Sequence, residues 1–320
     1  MLKNRADLKS LVYVALITGI WVWNWSLPHF QWTPFLLACL GGVCVSSMVH
    51  NHVHVPMFKS KILNGVYDYW LTIIYGYPVF AWISTHNKNH HVFNNRTGDF
   101  APSYISSEKN NLFTLLYYPT VSGSVQQKVN FDYLKLLWKT NRPKCVYYLS
   151  QYAAVLTVMI GSLIINWKKG LLYVIIPQQI ALNVVLIFNY LQHIHADEES
   201  KFNHSRNYES PVMNTLLFNN GFHTIHHMKP LAHWSELPAL HAKIADRIDP
   251  RLKEKSFGWM IIRSYLLAPI FPKFGTFDMR AERLERERLA GAGLNRAKIS
   301  DTQSVSDEEI LAAHGISATR

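Results

Sequence analysis

The sequence has few cysteines and lacks the usual cofactor motifs. It contains no GxGxxG nucleotide loop, no CxxC pair and no HPGG haem segment. These absences exclude the nucleotide, rubredoxin-type and haem domains that the motifs mark, and no repeat of 20–50 residues indicates a solenoid. Cys39, Cys44 and Cys145 show no ligand spacing, so we expect small buried side chains without a disulfide.

Four long segments contain no Lys, Arg, Asp or Glu. Each approaches the roughly 20 apolar residues that cross a bilayer as a helix. In the first segment Trp21, Trp23 and Trp25 stand where a signal peptide would carry small residues, which favours a membrane anchor over a cleaved leader. The sequence therefore predicts an all-α integral membrane protein with about four transmembrane helices: Leu11–Leu27, Thr33–Met48, Val146–Ile165 and Leu171–Tyr190.

A fifth apolar region, Ile62–Ser84, carries Asn64, Asp68, Gly76 and Pro78, which are unfavourable in lipid. We expect it to enter the bilayer halfway or to lie at the interface.

Charge asymmetry predicts the orientation. Lys3, Arg5 and Lys9 precede the first span and no cation follows it before Thr33, so the N-terminus is expected in the cytoplasm. Lys168 and Lys169 then fall on the outer side and contradict the rule. We accept that conflict because their loop is short and two cation-rich segments, Gln127–Lys144 and His241–Lys255, fall on the inner side.

Three clusters supply eight candidate ligands among the 16 histidines: HNHVH with His50 and His54, HNKNHH with His86, His90 and His91, and HTIHH with His223, His226 and His227. At ~100° per residue, His50 and His54 share a helix face, as do the three histidines of the last cluster. His86 and His90 share a face too, whereas His91 lies roughly 140° from His86 and needs a second metal or a helix distortion. This geometry favours two metal ions, and imidazole alone does not identify the metal.

The three clusters, in the order H-x3-H, H-x3-HH and H-x2-HH between pairs of apolar spans, resemble the membrane fatty acid desaturase and hydroxylase superfamily over roughly Leu11–His241. The segment from His223 through HWSELP to His241 is similar to bacterial acyl desaturase-like members. The resemblance implies a cytoplasmic histidine-rich cap with two iron ions and dioxygen as co-substrate. It makes the eight clustered histidines iron ligands that serve catalysis through the di-iron centre.

The segment Asn189-Tyr190-Leu191-Gln192-His193 resembles a further motif of that superfamily. It implies His193 as a ninth ligand and Asn189 as a residue that reaches iron through water. His52 and His195 point away from the ligand faces. We expect His29, His204, His233, His241 and His314 to be structural or surface residues, with an anionic head group as an alternative partner for His204 and Arg206. Acids that could orient ligand rings are Asp99, Asp197, Glu198 and Glu199.

The implied reaction is removal of hydrogen from an unactivated C–H bond of a fatty acyl chain held in an apolar chamber. Desaturation is favoured; hydroxylation and oxidative decarboxylation to a terminal alkene remain open. Candidate wall residues are Trp70, Tyr75, Tyr77, Trp82 and Tyr190. A metal transporter is the alternative from another class, although its ligands should lie within the spans.

The chain lacks its own redox domain, so a separate ferredoxin, rubredoxin or cytochrome with its reductase is implied. The net charge of +11 suits acidic donors, acyl carrier protein, acyl-CoA or anionic lipid, and its cations flank spans, which disfavours nucleic acid. We expect a bacterial inner membrane, with a eukaryotic reticulum membrane as the open alternative.

The C-terminal end differs in composition from the rest. We expect a catalytic domain over residues 1–278 and a tail over 279–320, with a solvated charged helix from Met279 that loosens at Gly291 and Gly293. A short helix near Ser306–Gly315 or a frayed terminus would follow.

Overall fold

The computed structural model describes residues 1–289 of the chain; the predictions for Gly291, Gly293, His314 and the segment Ser306–Gly315 lie outside them. The described part is helical, with one pair of two-residue parallel strands, β1 (Asn207–Tyr208) and β2 (Lys253–Glu254). The twelve α-helices are α1 (Leu8–Ser26), α2 (Trp32–His54), α3 (Lys61–Tyr75), α4 (His91–Phe93), α5 (Leu112–Thr140), α6 (Arg142–Lys169), α7 (Ile176–His193), α8 (Pro211–Leu216), α9 (His223–Met228), α10 (Leu237–Ala242), α11 (Phe257–Ile261) and α12 (Met279–Leu289).

Shorter helical turns connect these elements. Three are π-helical, Ile83–His90, Gly170–Ile175 and Ile262–Leu267, and five are 3₁₀ turns, Arg5–Asp7, Trp234–Glu236, Ala245–Arg247, Pro250–Leu252 and Pro272–Phe274. The all-α prediction is confirmed.

Three continuous helical stretches in residues 1–289 are long and apolar enough to cross a membrane: Arg5–Ser26, Trp32–His54 and Arg142–His193. The third has 52 residues, far more than the roughly 20 that one crossing needs. Asn166 breaks it with non-helical angles (φ −158°, ψ 100°), and a Cβ on Gly170 would lie 2.8 Å from the backbone of Ser162 and Leu163, so the chain turns back there. The stretch is a helical hairpin, and the four predicted spans correspond to α1, α2, α6 and the segment that ends in α7.

Two contacts place the span ends relative to one another. The Lys169 ammonium donates to the carbonyl of Trp25 at the end of α1, and the Asn24 side chain donates to the carbonyl of Pro34 at the start of α2 (2.8 Å). The connection between α1 and α2 and the turn after α6 therefore lie at the same end of the helix bundle. The opposite ends of α2 and α7 carry His54 and His193.

Helix α3 falls short of a full crossing, as expected of the fifth apolar region. Its 15 residues end at Gly76, whose φ of +82° closes the helix in the left-handed region that glycine adopts without strain. The polar residues of this helix have partners: Asn64 bonds both backbone groups of Phe58 (2.8 and 2.9 Å), and Asp68 accepts from Tyr147 (2.7 Å).

The core lies where α2, α3 and α7 meet. Val45, Val49, Leu71, Ala181 and Leu191 are completely buried there. The three cysteines are free and buried, so the prediction of small packed side chains without a disulfide is confirmed.

The helix predicted at Met279 is present, and its solvated face consists of the exposed residues Ala281, Glu282, Glu285, Arg286, Arg288 and Leu289, whereas its other face contacts the body. Arg283 contacts Asp197 and Glu198 (2.7 Å each), and Arg280 contacts Glu198 (2.9 Å). The tail therefore begins as a helix bound to the body, and the assignment of residues 279–320 to a separate unit stays a prediction.

Candidate metal centre

The nine predicted histidine ligands come from five elements that meet at one end of the bundle. His50 and His54 occupy the last turns of α2, and His193 is the last residue of α7. His86 and His90 lie on the Ile83–His90 π-helix, His91 begins α4, and the remaining three lie on α9.

Helix α9 reaches this position because the chain approaches itself closely just before it. The Gly221 carbonyl accepts from the Tyr208 amide (2.9 Å), and a Cβ on Gly221 would lie 2.1 Å from the Tyr208 carbonyl oxygen. Any side chain there would displace the segment that leads into His223.

The nine imidazoles form two groups. We call His50, His54, His86, His91 and His226 the five-histidine group, and His90, His193, His223 and His227 the four-histidine group; within each, the candidate ligand nitrogens lie within 4.8 Å of one another. The groups are adjacent, because the rings of His91 and His227 stack with centroids 4.4 Å apart.

The pairing inside the second cluster differs from the helical-wheel prediction. The His91 amide donates to the carbonyl of His86, five residues earlier, which is the π-helical spacing. Residues five apart then share a face, and the Nε2 atoms of His86 and His91 lie 3.1 Å apart. Of the two alternatives for His91, the structure shows the helix distortion, whereas His90, predicted beside His86, turns to the four-histidine group.

The last cluster also divides between the groups, although its members were expected to face one centre. His226 Nε2 lies 2.9 Å from His50 Nε2 and 3.0 Å from His91 Nε2. His223 Nε2 lies 3.1 Å from His227 Nε2 in the four-histidine group.

The four-histidine group is completed by His90 and His193. The Nε2 atom of His193 lies 3.1 Å from that of His90 and 2.9 Å from that of His223. The motif containing His193 thus delivers its ring to the same point as two of the three clusters.

These separations fit metal binding. Ligand nitrogens at ~2.0–2.1 Å from one metal ion are about 3 Å apart when adjacent. The Nε2 atom of His54 is buried without a hydrogen-bond partner among the described residues, as expected of a nitrogen directed at a metal. Imidazole-rich, carboxylate-free donor sets suit iron, zinc or copper.

Contacts to the other ring nitrogen orient three of the candidate ligands. His90 Nδ1 lies 2.7 Å from Asp99, His193 Nδ1 lies 3.3 Å from the carbonyl of His204, and His50 Nδ1 lies 3.3 Å from the side chain of Asn51. The sequence pointed to Asp99 and missed the other two. A backbone carbonyl brought by a loop, as at His204, leaves no signal in the sequence, and Asn51 was passed over because only acids were considered as orienting groups.

The other three acids proposed for this role contact arginines instead. Asp197 and Glu198 bind Arg283, and Glu199 binds Arg96 (3.1 Å). They stabilise the loop after His193 and touch no candidate ligand.

The electrostatics keep the rings neutral. Burial lowers the pKa of His86, His91, His223, His226 and His227 well below the ordinary histidine value, and the neighbouring imidazoles lower it further. Neutral imidazole is the form that binds metal. For Asp99, burial would raise the pKa, but His90 and the amides of Ala101 and Asn95 outweigh it and hold the pKa below its usual range, so it remains a carboxylate.

Histidines outside the two groups have structural contacts, as expected. His52 contacts Asp68 (3.1 Å) and His195 contacts Asp278 (3.3 Å). His233 contacts Asp7 (3.1 Å), His241 contacts Glu209 (3.2 Å), and His29 is exposed. His204 is buried with its ring 5.7 Å from that of His227, so it does not lie on the surface where a head group would bind.

A cavity of about 210 Å³ opens beside the histidines. Its wall includes His50 and His86 from the five-histidine group and His90 and His223 from the other, followed by Leu182, Val185, Leu186 and Phe188 of α7. Of the aromatic wall residues expected, Tyr75, Tyr77 and Trp82 line it.

The other two do not, because one contacts α1 and the other contacts the loop before α5. Trp70 donates to Thr18 (3.0 Å), and Tyr190 donates to Asn110 (3.0 Å).

Asn189 also lines this cavity. Its amide nitrogen donates to the carbonyl of Ala101 (3.1 Å) and to the hydroxyl of Tyr118 (2.8 Å), which leaves its oxygen as the free acceptor. The side chain touches none of the nine rings, so a water-mediated role remains a prediction.

Comparison with known proteins agrees with this architecture. A family model described as fatty acid desaturase matches residues 23–258. Searches of curated proteins and of solved structures returned no match.

Proposed function

The chain belongs to the fatty acid desaturase family, and on that premise we propose that it is a dioxygen-dependent di-iron enzyme that introduces a double bond into a fatty acyl chain. Membership supports fatty acid desaturase or hydroxylase-type oxidation in a membrane protein with several apolar helices. The observation that carries the finer proposal is the apolar cavity that has histidines of both groups in its wall.

We assign the five-histidine group to one iron and the four-histidine group to the other. Two bound iron ions would supply the activation of dioxygen that removes hydrogen from an unactivated carbon, a reaction that protein side chains alone do not perform. Asp99 and the His204 carbonyl would fix the orientation of the His90 and His193 rings, since each ring has a partner at Nδ1.

The cavity would hold the substrate beside this centre. Trp82 lies against the first group, with its ring centroid 5.7 Å from that of His50 and 5.1 Å from that of His86. Apolar side chains of α7 form the opposite wall and exclude water from the chain of methylenes. An acyl chain placed there passes close to both histidine groups.

Both groups lie where α2 and α7 end, and not along the spans. That position disfavours the metal transporter interpretation, in which ligands line a path across the membrane. By the charge argument we place this end in the cytoplasm.

Electrons would come from a separate donor such as a ferredoxin, rubredoxin or cytochrome with its reductase. Lys88 lies between the candidate ligands His86 and His90 and is half-buried. With the net charge of +11, a cation at this position would favour contact with the acidic face of such a donor.

The product tests the proposal. Lipids and headspace of cells expressing the full chain are compared by gas and liquid chromatography with mass spectrometry against cells expressing the His90→Ala variant, with and without oxygen. New internal double bonds that require oxygen and His90 are the expected result. A hydroxy acid, or a volatile terminal alkene one carbon shorter than a cellular acid, would replace desaturation by hydroxylation or oxidative decarboxylation. Identical lipids in both strains would contradict the proposal.

A further inference from the structure

A second cavity, of about 590 Å³, lies between α1 and α6 toward the end of the bundle that is opposite the histidines. Its wall includes Trp21, Val22 and Trp25 of α1 and Val158, Gly161 and Ile165 of α6, and we call it the α1–α6 groove. These positions recur three or four residues apart, so each helix turns one face toward the groove.

The wall of this groove is apolar. No Lys, Arg, Asp or Glu is among the residues of the described chain that line it. Two hydroxyls in the wall are already bound within their own helices, since Ser26 donates to the carbonyl of Trp23 and Ser162 to that of Met159 (2.8 Å each). The groove therefore presents hydrocarbon, which suits an apolar chain better than a polar ligand.

The groove opens sideways, toward the space that the bilayer occupies around the helices. Val22 and Ile165 line it and are 65% and 75% exposed. Gly161 widens it, because a Cβ built on that glycine would approach no neighbour within 4 Å. An acyl chain of the bilayer can therefore enter between the two helices without crossing water.

Two lysines stand at the mouth of the groove. The Lys169 ammonium donates to the carbonyl of Trp25, which lines the groove, and this bond uses one of its three protons. Lys168 is exposed, with its ammonium 5.6 Å from the ring centroid of Trp167. The helices that meet at this end offer them no carboxylate, because residues 8–67 and 133–196 contain no Asp or Glu.

These are also the two lysines that contradict the charge rule of membrane topology, which favours cations on the inner side. A pair of cations on the other side, without acids nearby, needs a different partner. Lipid phosphate supplies one, because lysines are stabilised near an anionic lipid surface. Trp21 and Trp25 line the same groove, and tryptophan is enriched at the level of the lipid head groups.

We propose that the α1–α6 groove binds one anionic phospholipid, with an acyl chain between the helices and the phosphate at Lys168 and Lys169. A zwitterionic lipid would bring its own cation to this mouth, so the charge of the site selects the anionic class. The site is separate from the cavity beside the histidines, and the inference does not depend on the proposed function.

Native mass spectrometry of the delipidated full-length protein in detergent tests the site. The protein is titrated with phosphatidylglycerol, with phosphatidylcholine of the same two acyl chains, and with glycerol phosphate. We expect one phosphatidylglycerol per chain, preferred over phosphatidylcholine by at least about fivefold, the effect of one lysine near anionic lipid. Glycerol phosphate, which lacks the acyl chains, should not bind over the same range of concentration.

Two lysine variants test the head-group contact. Lys168→Gln leaves the bond between Lys169 and Trp25 in place and should weaken binding of phosphatidylglycerol about fivefold. The double variant Lys168→Gln/Lys169→Gln should bind the two lipids equally. Lys61→Gln is the control, because Lys61 is an exposed lysine of α3 that does not line the groove, and it should bind both lipids as the wild type does.

Two glycine variants test the position of the acyl chain. Gly161→Leu fills the groove and should remove the bound lipid whatever its head group. Gly19→Leu is the matched control, because a Cβ on Gly19 also has no neighbour within 4 Å and Gly19 does not line the groove. This variant should keep the lipid.

Several results would overturn the proposal. Equal affinities of the wild type for the two lipids, or many lipids bound without saturation, would show ordinary contact with the bilayer. Retention of the bound lipid in Gly161→Leu would place it elsewhere on the protein. Dimers that form in place of the lipid adduct would assign the groove to a second copy of the chain.

Discussion

The carboxylate of Asp99 lies 2.7 Å from Nδ1 of His90, and both side chains are buried. The same carboxylate accepts from the amides of Asn95 and Ala101 (2.8 Å each), so the loop that follows the second histidine cluster fixes the acid, and the acid fixes the ring. His90 is thereby oriented with Nε2 toward the four-histidine group.

This contact predicts the effect of Asp99→Asn. The variant keeps the size of the side chain but removes the charge that orients His90, so affinity for the second metal should fall about 10–100-fold. Metal titration of the iron-depleted protein measures it. Asp132→Asn, on the exposed part of α5, should bind iron as the wild type does; equal affinities for all three proteins would remove Asp99 from the site.

Two pairs of neighbouring histidines test the assignment of ligands. His193→Ala and His54→Ala should lower iron content, because each ring belongs to a group of converging nitrogens. His195→Ala and His52→Ala should retain it, because their rings contact Asp278 and Asp68. The iron content of the purified proteins is the measurement that tests this assignment. If His52→Ala lost as much iron as His54→Ala, α2 would turn a different face toward the metal centre.

Protonation of the buried rings predicts how the iron-depleted protein responds to pH. The folded-state pKa values of His86, His91, His223, His226 and His227 lie below that of free histidine, about 6.5, so below this pH the unfolded chain binds more protons. The contribution of these neutral rings to the free energy of unfolding is fully present above pH 6.5. It is lost as the pH falls toward the lower pKa values that the rings have in the folded protein. Thermal unfolding between pH 8 and pH 5 should show a falling midpoint, with a shallower fall after His226→Asn. A midpoint that rises on acidification would contradict the assigned direction of these shifts.

Hydrophobicity is the part of the fold that the sequence specifies most directly. The four uncharged runs became α1, α2, α6 and α7 because burial in lipid or core requires helix along their whole length. Helix α5 was not expected, since its apolar residues are interspersed with Gln126, Lys128 and Asp132, and its stability depends on contacts with α6 and α7.

The site shows a similar division. Residue types and spacing pointed to eight of the histidines, the resemblance of the segment Asn189–His193 to a family motif implied His193, and the structure brings all nine together. Their distribution between two groups was not predictable, because the helical-wheel argument assumes ~100° per residue and Ile83–His90 is a π-helix. Contacts across long sequence separations, such as His193 with the His204 carbonyl, depend on loop conformation that periodicity does not report.

The C-terminal helix supplies another prediction. Arg283→Ala leaves Glu198 buried with one fewer partner. The free energy that holds α12 against the rest of the protein should therefore fall by about 3 kcal/mol. Hydrogen exchange should then accelerate in residues 279–289 and in the loop after His193. Arg288→Ala is the matched control, because within residues 1–289 that arginine forms its ion pair with exposed Glu285 on its own helix; equal protection in both variants would show that Arg283 does not hold the helix.

The iron content of matched double variants tests the central claim most directly. The account predicts two irons per wild-type chain and one iron in each of His90→Ala/His223→Ala and His54→Ala/His86→Ala, because each pair belongs to a single group. It also predicts none in His90→Ala/His91→Ala, although these residues are adjacent, since they belong to different groups. A single metal in the wild type, or one iron retained after the change at both His90 and His91, would contradict the two-group centre.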